Sequence, residues 1–331
     1  MKTIVKIEIA LLVLVALVAA GMVMWSEGVF DLLHEPVIME REAPAIPTDP
    51  PAEPIPEKTV PEATDPPEQT EPREITATKY FAYDTRKGEY LFIQGSGEER
   101  IYPASITKLL TAYVVLQHMT PTDTVKVGDA MNLVQEDSSV AGLELGDELT
   151  VEQLIAAMML PSGNDAAQVA AVAIGRKFAE NNNFPYEDAA KLFVMEMNRQ
   201  AEWLGMTGSH FVNPDGFHHE DHYTTMNDLV RLCEKVLQNE TILKYTSRVE
   251  ETVEQGDRKL EWVNTNVLLH EETEFYHPNT IGLKTGYTEK AGNCLVSAFF
   301  MEDRVLLIGV FGCPTFTEDR YLDTVAIYNS I

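Results

Sequence analysis

Prolines interleaved with acidic residues exclude a long stretch of this chain from any folded core. Eleven of the 18 prolines lie between Pro36 and Pro72, and nine aspartate or glutamate residues are interspersed with them. Proline removes backbone donors and favours extended polyproline geometry, and like charges extend such a segment further. We therefore predict that residues 28–74 form a disordered tether and that residues 75–331 form the folded domain.

An apolar segment precedes the tether. Residues 9–25 form an uncharged run of 17 residues, and Lys2 and Lys6 lie before it. This length is at the lower limit for a membrane-spanning helix, whereas a cleaved signal peptide has an apolar region of about 7–15 residues. We expect residues 1–27 to stay as a single-pass N-terminal membrane anchor, with the basic end in the cytoplasm and the rest outside it. The alternative is secretion after cleavage near Val18-Ala19-Ala20.

The charge of the chain limits its partners. The formal net charge is −27, with 52 acidic residues against 25 lysines and arginines. Nucleic acid and anionic lipid surfaces are bound by clustered basic residues, which this composition does not provide. We therefore expect no nucleic acid partner, and we attribute the acidity to solubility.

Residues 75–331 carry the periodicities of a mixed domain. A hairpin is predicted at 79–84 and 89–93, on either side of a turn. Apolar residues at helical spacing predict helices at 105–119, 151–160, 166–178, 193–204 and 227–237. Further strands are predicted at 282–285, 293–300 and 305–311, and a closing helix at 317–328. Strands at both ends with helices between them indicate one sheet with a helical insertion.

Ser105 and Lys108 form the only Ser-x-x-Lys element in the chain. A helix that begins near Ser105 places residue i+3 on the same face, so Lys108 stands beside the serine hydroxyl. Serine needs a neighbouring base to act as a nucleophile, and lysine can serve only when its pKa is lowered. By itself the element is weak, because a capping serine and a solvated lysine have the same spacing.

Two further elements place polar side chains at corners of the predicted fold. Ser162 and Asn164 lie between two predicted helices, where a hydroxyl can pass a proton and a carboxamide can hold a substrate amide. Lys284, Thr285 and Gly286 end a predicted strand, and this combination suits a substrate carboxylate lying along the strand edge. Each element alone fits an ordinary turn equally well.

The conjunction of the three elements changes their interpretation. Ser-x-x-Lys, a Ser-x-Asn-type element and Lys-Thr-Gly together are the signature of penicillin-binding proteins and class A β-lactamases. Over residues 75–331 the chain resembles the low-molecular-mass penicillin-binding proteins, which are serine-type D-alanyl-D-alanine carboxypeptidases. Other segments share the resemblance, among them Phe211-Val212-Asn213-Pro214-Asp215-Gly216, His222-Tyr223-Thr224-Thr225 and Ala291-Gly292-Asn293-Cys294.

The resemblance implies a fold and a set of roles. The fold is the α/β (α+β) fold of penicillin-binding proteins and β-lactamases, an antiparallel sheet flanked by helices with a helical subdomain. Ser105 is implied as nucleophile, Lys108 as its base, kept neutral in part by burial and by Lys284, and Ser162 as proton relay. Substrate-binding roles are implied for Asn164, Lys284, Thr285, Gly286 and Tyr287.

The implied ligands follow from the same resemblance. We expect the substrate to be a peptidoglycan stem peptide ending in D-Ala-D-Ala, which loses its terminal D-alanine through an acyl-enzyme. β-Lactams are expected as covalent inhibitors, and no cofactor or metal is implied. Many members carry a further all-β domain and a C-terminal amphipathic helix, and we expect neither in this chain. We therefore expect residues 1–27 to take over the anchoring.

Three alternatives stay open at this point. His218, His219 and His222 crowd together with Glu220 and Asp221, and imidazole and carboxylate are zinc ligands, so a zinc peptidase is conceivable. A β-lactamase shares the fold but needs fast deacylation, and the chain has no Glu-x-x-x-Asn element between the second and third motifs. A non-catalytic penicillin-binding scaffold is the third alternative.

Overall fold

The computed structural model describes residues 74–314 and 317–331. The predicted anchor, 1–27, and all but the last residue of the predicted tether, 28–74, lie outside the described residues. Within the described part of the chain, no helix combines the length and the apolar character needed to cross a membrane.

The described residues form nine strands and seven α-helices. In chain order these are β1 (Lys79–Asp84), β2 (Glu89–Gln94), α1 (Thr107–His118), β3 (Thr124–Lys126), β4 (Glu148–Thr150), α2 (Val151–Met159), α3 (Asn164–Phe178), α4 (Tyr186–Trp203), α5 (Met226–Val236), α6 (Glu240–Thr246), β5 (Glu250–Gln255), β6 (Arg258–Val263), β7 (Thr280–Thr288), β8 (Gly292–Met301), β9 (Arg304–Cys313) and α7 (Asp319–Asn329).

The main sheet is antiparallel and has the strand order β2-β1-β9-β8-β7. It therefore joins both ends of the domain, as the sequence predicted. Strands β8 and β9 are nearly continuous apolar runs because both faces of the sheet are covered. Val296 and Leu307 belong to the core beneath the helical layer, whereas Leu295, Ile308 and Tyr321 belong to a second core beneath α7.

Helix α1 runs through the middle of the helical layer. All its residues from Thr107 to Val115 are buried, so polar residues on this helix are enclosed as well as apolar ones. A helix buried on all sides belongs to the interior of a domain. Its first turn therefore carries Lys108 into the core, away from water.

The predicted elements are found, with differences at their ends. Helix α4 begins two turns earlier than predicted, because Pro185 and an acidic first turn start it before its apolar spacing becomes regular. Helix α6 and the hairpin of β5 and β6 were not predicted. In β5 only Val253 is buried, so the strand has no apolar alternation to detect.

Candidate active site

The three motifs meet at one cavity of about 620 Å³. Six of the eight predicted site residues line it: Ser105, Ser162, Asn164, Thr285, Gly286 and Tyr287. The two lysines, Lys108 and Lys284, are 0% and 1% exposed and lie behind this wall. The rest of the cavity wall comes from the segment 136–139, the loop 216–218, Thr265, residues 288–290 and Arg320 of helix α7.

Ser105 lies in a short 3-10 turn, Ala104–Ile106, directly before α1. The helix was predicted to begin at Ser105, and the tighter turn there differs from that prediction. Ala104 has a φ of 49°, a left-handed conformation that is unfavourable for a residue with a side chain. A Cβ on Gly216 would lie 1.8 Å from the Ala104 carbonyl oxygen, so only glycine lets the loop pack against this turn. The loop that contains Gly216 therefore packs against the strained turn and holds it in place.

Strand β7 passes close to the nucleophile. A Cβ on Gly286 would lie 3.0 Å from the Pro103 carbonyl oxygen and 3.2 Å from the Ser105 backbone nitrogen. The resemblance implied a substrate-binding role for the glycine of the third motif. In the structure it also allows β7 to approach the Ser105 turn, which brings the first and third motifs together.

Lys108 forms three hydrogen bonds in the interior. Its Nζ donates to Ser105 Oγ over 2.9 Å, to Asn164 Oδ1 over 2.7 Å and to the backbone oxygen of Asp215 over 2.7 Å. The amide and backbone oxygens can only accept hydrogen bonds. When Lys108 is neutral, its two remaining N–H groups satisfy these two oxygens, and its lone pair is left to face the Ser105 hydroxyl.

Burial favours this neutral form. It lowers the pKa of Lys108 from 10.5 to about 8, although the negative charges of Asp215 and Asp165 act in the opposite direction. Roughly one-tenth of such lysines are neutral near pH 7, compared with less than one in a thousand for a solvated lysine. The structure thus supplies the lowered pKa that a lysine base requires.

Lys284 is not arranged as the sequence interpretation expected. Burial, together with the charges of Lys108 and Arg320, holds its pKa well below the usual range. Burial lowers the pKa of Lys108, and the repulsion between the two lysines disfavours the protonation of both. The ammonium group of Lys284 donates to the Thr285 backbone oxygen over 3.2 Å and does not line the cavity.

The second motif fixes a wall of the cavity. Ser162 has a left-handed φ of 63°, and the backbone N–H of Asn164 donates to the Ser139 oxygen over 2.8 Å. The carboxylate of Asp165 accepts from the backbone N–H groups of Ala141 and Leu143. These bonds hold the segment 136–143 beside Ser162, and part of that segment lines the cavity.

Arg320 and Thr265 are two of the cavity residues that the sequence interpretation did not assign to the site. Arg320 of α7 donates from Nη1 to the Gly286 and Cys294 oxygens, at 3.1 and 3.4 Å. Thr265 lies in the segment after β6, and its Oγ1 is 2.6 Å from Thr285 Oγ1. In the sequence, Arg320 could be recognised only as a cation in the predicted closing helix. No sequence pattern pointed to Thr265.

The histidine cluster is divided among separate environments. His222 is buried, its Nε2 contacts Thr107 Oγ1 at 2.8 Å, and its Nδ1 accepts from the Val212 N–H. Burial, with neighbouring histidines, lowers the pKa of His222 to about 3. His218 packs edge-to-face on Tyr102, with ring centroids 4.8 Å apart. In residues 74–314 and 317–331 there is no group of three or more histidine, cysteine or acidic residues that could hold a metal.

The fold and these contacts define a class of protein. A serine before a buried helix, bonded to a desolvated lysine and faced by a Lys-Thr-Gly strand, is the arrangement of penicillin-binding proteins and class A β-lactamases. The family model described as D-alanyl-D-alanine carboxypeptidase matches residues 65–315. The chain belongs to this family, and the resemblance inferred from the sequence is confirmed.

Individual relatives agree with this membership. The D-alanyl-D-alanine carboxypeptidase DacF of Bacillus subtilis is 31% identical over 233 residues, which cover 69% of this chain and 55% of DacF. This chain therefore spans only about half the length of that relative. The Streptomyces K15 DD-transpeptidase structure has a TM-score of 0.69 at 28% identity, covering 78% of this chain and 97% of that one.

A third similarity concerns a structure with a ligand. Penicillin-binding protein D2 of Listeria monocytogenes, in its ampicillin-bound form, has a TM-score of 0.62 at 25% identity. The match covers 77% of this chain and 97% of that one. The predicted fold, an antiparallel sheet flanked by helices with a helical subdomain, is confirmed by these neighbours.

The pKa of Lys108 predicts how the reactivity of Ser105 depends on pH. Protonated Lys108 cannot accept the Ser105 proton, so the rate of acylation by a penicillin should rise with pH and level off above about 8. The variant Asp215→Asn removes a negative charge that raises this pKa, so its midpoint should move to lower pH. Stopped-flow acylation rates between about pH 6 and pH 10 measure both midpoints. A flat profile, or an upward shift in Asp215→Asn, would contradict the assignment.

Proposed function

We propose that the protein is a serine-type D-alanyl-D-alanine carboxypeptidase, which removes the terminal D-alanine from peptidoglycan pentapeptides through an acyl-enzyme. One observation carries the proposal: the Nζ atom of buried Lys108 lies 2.9 Å from Ser105 Oγ, at the wall of a cavity bordered by β7. A serine with such a partner is an activated nucleophile. Family membership supports the choice of substrate.

The first step forms the acyl-enzyme. Neutral Lys108 takes the Ser105 proton while Oγ forms a bond to the carbonyl carbon between the two D-alanines. The carbonyl electron pair moves onto its oxygen, which the backbone N–H groups of Ser105 and Tyr287 stabilise. When the C=O bond re-forms, the C–N bond breaks. Ser162 relays the proton from Lys108 to the departing nitrogen, so D-alanine leaves with a neutral amine.

The second step releases the shortened peptide. A water molecule gives a proton to neutral Lys108 and bonds to the ester carbon, and the bond from that carbon to Ser105 Oγ then breaks. The proton on Lys108 returns to Oγ, which restores the starting state. Side chains of this chain make every proton transfer, so the reaction as proposed needs no cofactor.

Recognition of the terminal carboxylate makes the enzyme an exopeptidase. Thr285 and Arg320 line the cavity next to β7 and supply a hydroxyl and a permanent positive charge. Lys284 contributes from behind this wall, by supporting Thr285 rather than by contacting the substrate. Asn164, which also lines the cavity, holds Lys108 through Oδ1 and leaves its amide nitrogen for the substrate backbone.

β-Lactams are proposed as covalent inhibitors of the same serine. The structure of the Listeria neighbour has ampicillin bound, and its match covers 77% of this chain. A β-lactam presents an amide carbonyl and a carboxylate, as the D-Ala-D-Ala terminus does. The same nucleophile and the same carboxylate-binding residues can therefore accept it.

Mass spectrometry of residues 75–331 tests the activity. With a penicillin, we expect a stable adduct on Ser105, and with a pentapeptide ending in D-Ala-D-Ala, the release of one D-alanine. Ser105→Ala should lose both reactions while its thermal unfolding stays close to that of the wild type. Rapid penicillin turnover would favour a β-lactamase instead. An adduct without any D-alanine release would favour the non-catalytic scaffold, and hydrolysis by Ser105→Ala would contradict the mechanism.

The N-terminal sequence supports a proposal for location. We propose that residues 1–27 anchor the protein in the cell membrane, with the catalytic domain outside the cytoplasm on the tether 28–74. Cell fractionation should find the full chain in the membrane fraction, whereas a chain starting at residue 28 behind a cleavable signal should be released. Release of the full chain into the medium would favour the secreted alternative.

A further inference from the structure

Thr265 and Thr285 form a close hydroxyl pair in the wall of the cavity. Their Oγ1 atoms are 2.6 Å apart, a short distance for two hydroxyl groups. Thr285 is 5% exposed, whereas Thr265 is exposed, and both line the cavity. A ligand in the cavity therefore meets Thr265 at least as readily as the threonine of the third motif.

The backbone of Thr265 is fixed on two sides. Its N–H donates to the Leu160 oxygen over 3.1 Å, directly before the second motif. Its own oxygen accepts from the Tyr321 hydroxyl over 2.6 Å, and Tyr321 is the neighbour of Arg320 on α7. Thr265 thus connects the segments that carry the other cavity residues, and its backbone cannot move away from β7 without breaking these bonds.

Buried asparagines on each side of Thr265 hold the segment in place. Asn264 is 2% exposed, and its Nδ2 donates to the Arg248 oxygen over 2.9 Å while its Oδ1 accepts from the Asn266 N–H. Asn266 is fully buried, and its Nδ2 lies 3.4 Å from Ser297 Oγ on β8. Buried amides with these partners specify one conformation of the segment. The exposed threonine between them is presented to the cavity rather than left in a loose loop.

The two threonine hydroxyls together have one proton to donate to a ligand. Two hydroxyls carry two protons, and one proton is used in the bond between them. The other is available to a ligand, and a hydroxyl that accepts a hydrogen bond becomes a stronger donor. A carboxylate only accepts hydrogen bonds, so it matches this single oriented donor. Arg320 also lines the cavity, and its Nη2 group forms no hydrogen bond within residues 74–314 and 317–331.

We propose that Thr265 is a specificity-determining residue, which with Thr285 binds the terminal carboxylate of the substrate as one hydroxyl pair. This inference rests on the proposed function, because the carboxylate is that of the peptide or β-lactam that acylates Ser105. A purely structural Thr265 would support β7 without distinguishing a carboxylate from an uncharged group. The two possibilities therefore differ in a measurable selectivity.

The test compares ligands with and without a terminal carboxylate. One pair is a penicillin and its carboxyl methyl ester, compared by the rate at which each acylates Ser105. The other is a D-Ala-D-Ala peptide and its C-terminal amide, compared by kcat/KM for release of the last residue. The variants are Thr265→Val, which keeps the shape and removes the hydroxyl, and Thr265→Ser, which keeps the hydroxyl. Thr252→Val is the matched control, since Thr252 is exposed on β5 of the preceding hairpin and away from the cavity.

Thr265→Val should lower the preference for the carboxylate form about tenfold, the size expected for a hydrogen bond to a charged group. The loss should fall on the carboxylate ligand and on KM, and leave the ester and amide nearly unchanged. Thr265→Ser should restore the preference, and Thr252→Val should retain it.

Two results would overturn the inference. One is an unchanged carboxylate preference in Thr265→Val, and the other is an equal loss on charged and uncharged ligands. Failure of the proposed function has a different signature. If wild-type protein is acylated by penicillin but releases no D-alanine, the carboxypeptidase proposal fails, while the comparison of penicillin with its ester still decides the role of Thr265.

Discussion

The arrangement of this site depends on keeping one lysine out of water. Lys108 enters the core because α1 is buried on all sides, and burial lowers its pKa to about 8. Desolvating a charged amine is costly, so the surrounding structure must offer the neutral amine full hydrogen bonding. The oxygens of Asn164 and Asp215 do so, and they leave the lone pair of the amine for Ser105.

The loop that follows α4 is built to present one of these oxygens. Asn213 accepts from the Gly216 N–H, and the Asp215 carboxylate accepts from the Phe217 N–H and from Gln168 Nε2. Thr111 of α1 donates to the Pro214 oxygen over 2.5 Å. These bonds hold the Asp215 backbone oxygen against Lys108, and Gly216 lets the same loop pack beneath the Ser105 turn. The same loop therefore positions both the base, Lys108, and the turn that carries the nucleophile, Ser105.

Sequence reasoning succeeded where the chemistry is local. Ser105 and Lys108 are three residues apart, so helical geometry alone predicts their contact, and the apolar periodicity predicts most elements around them. Sequence reasoning failed where contacts join segments that are distant along the chain. Thr265 and Thr285 are 20 positions apart and meet only because the segment after β6 folds against β7. Lys284 was given a substrate contact from its motif, and only the packing around it reveals its burial.

The central claim is that burial makes Lys108 a base, and an NMR titration of its side-chain nitrogen tests this most directly. In protein labelled with ¹⁵N-lysine, the Nζ signal of Lys108 is identified by its absence in Lys108→Arg. Our account predicts that this signal titrates with a pKa of about 8. Titration at the value of a solvated lysine, about 10.4, would contradict it, because the amine would then be charged at the pH at which Ser105 must react.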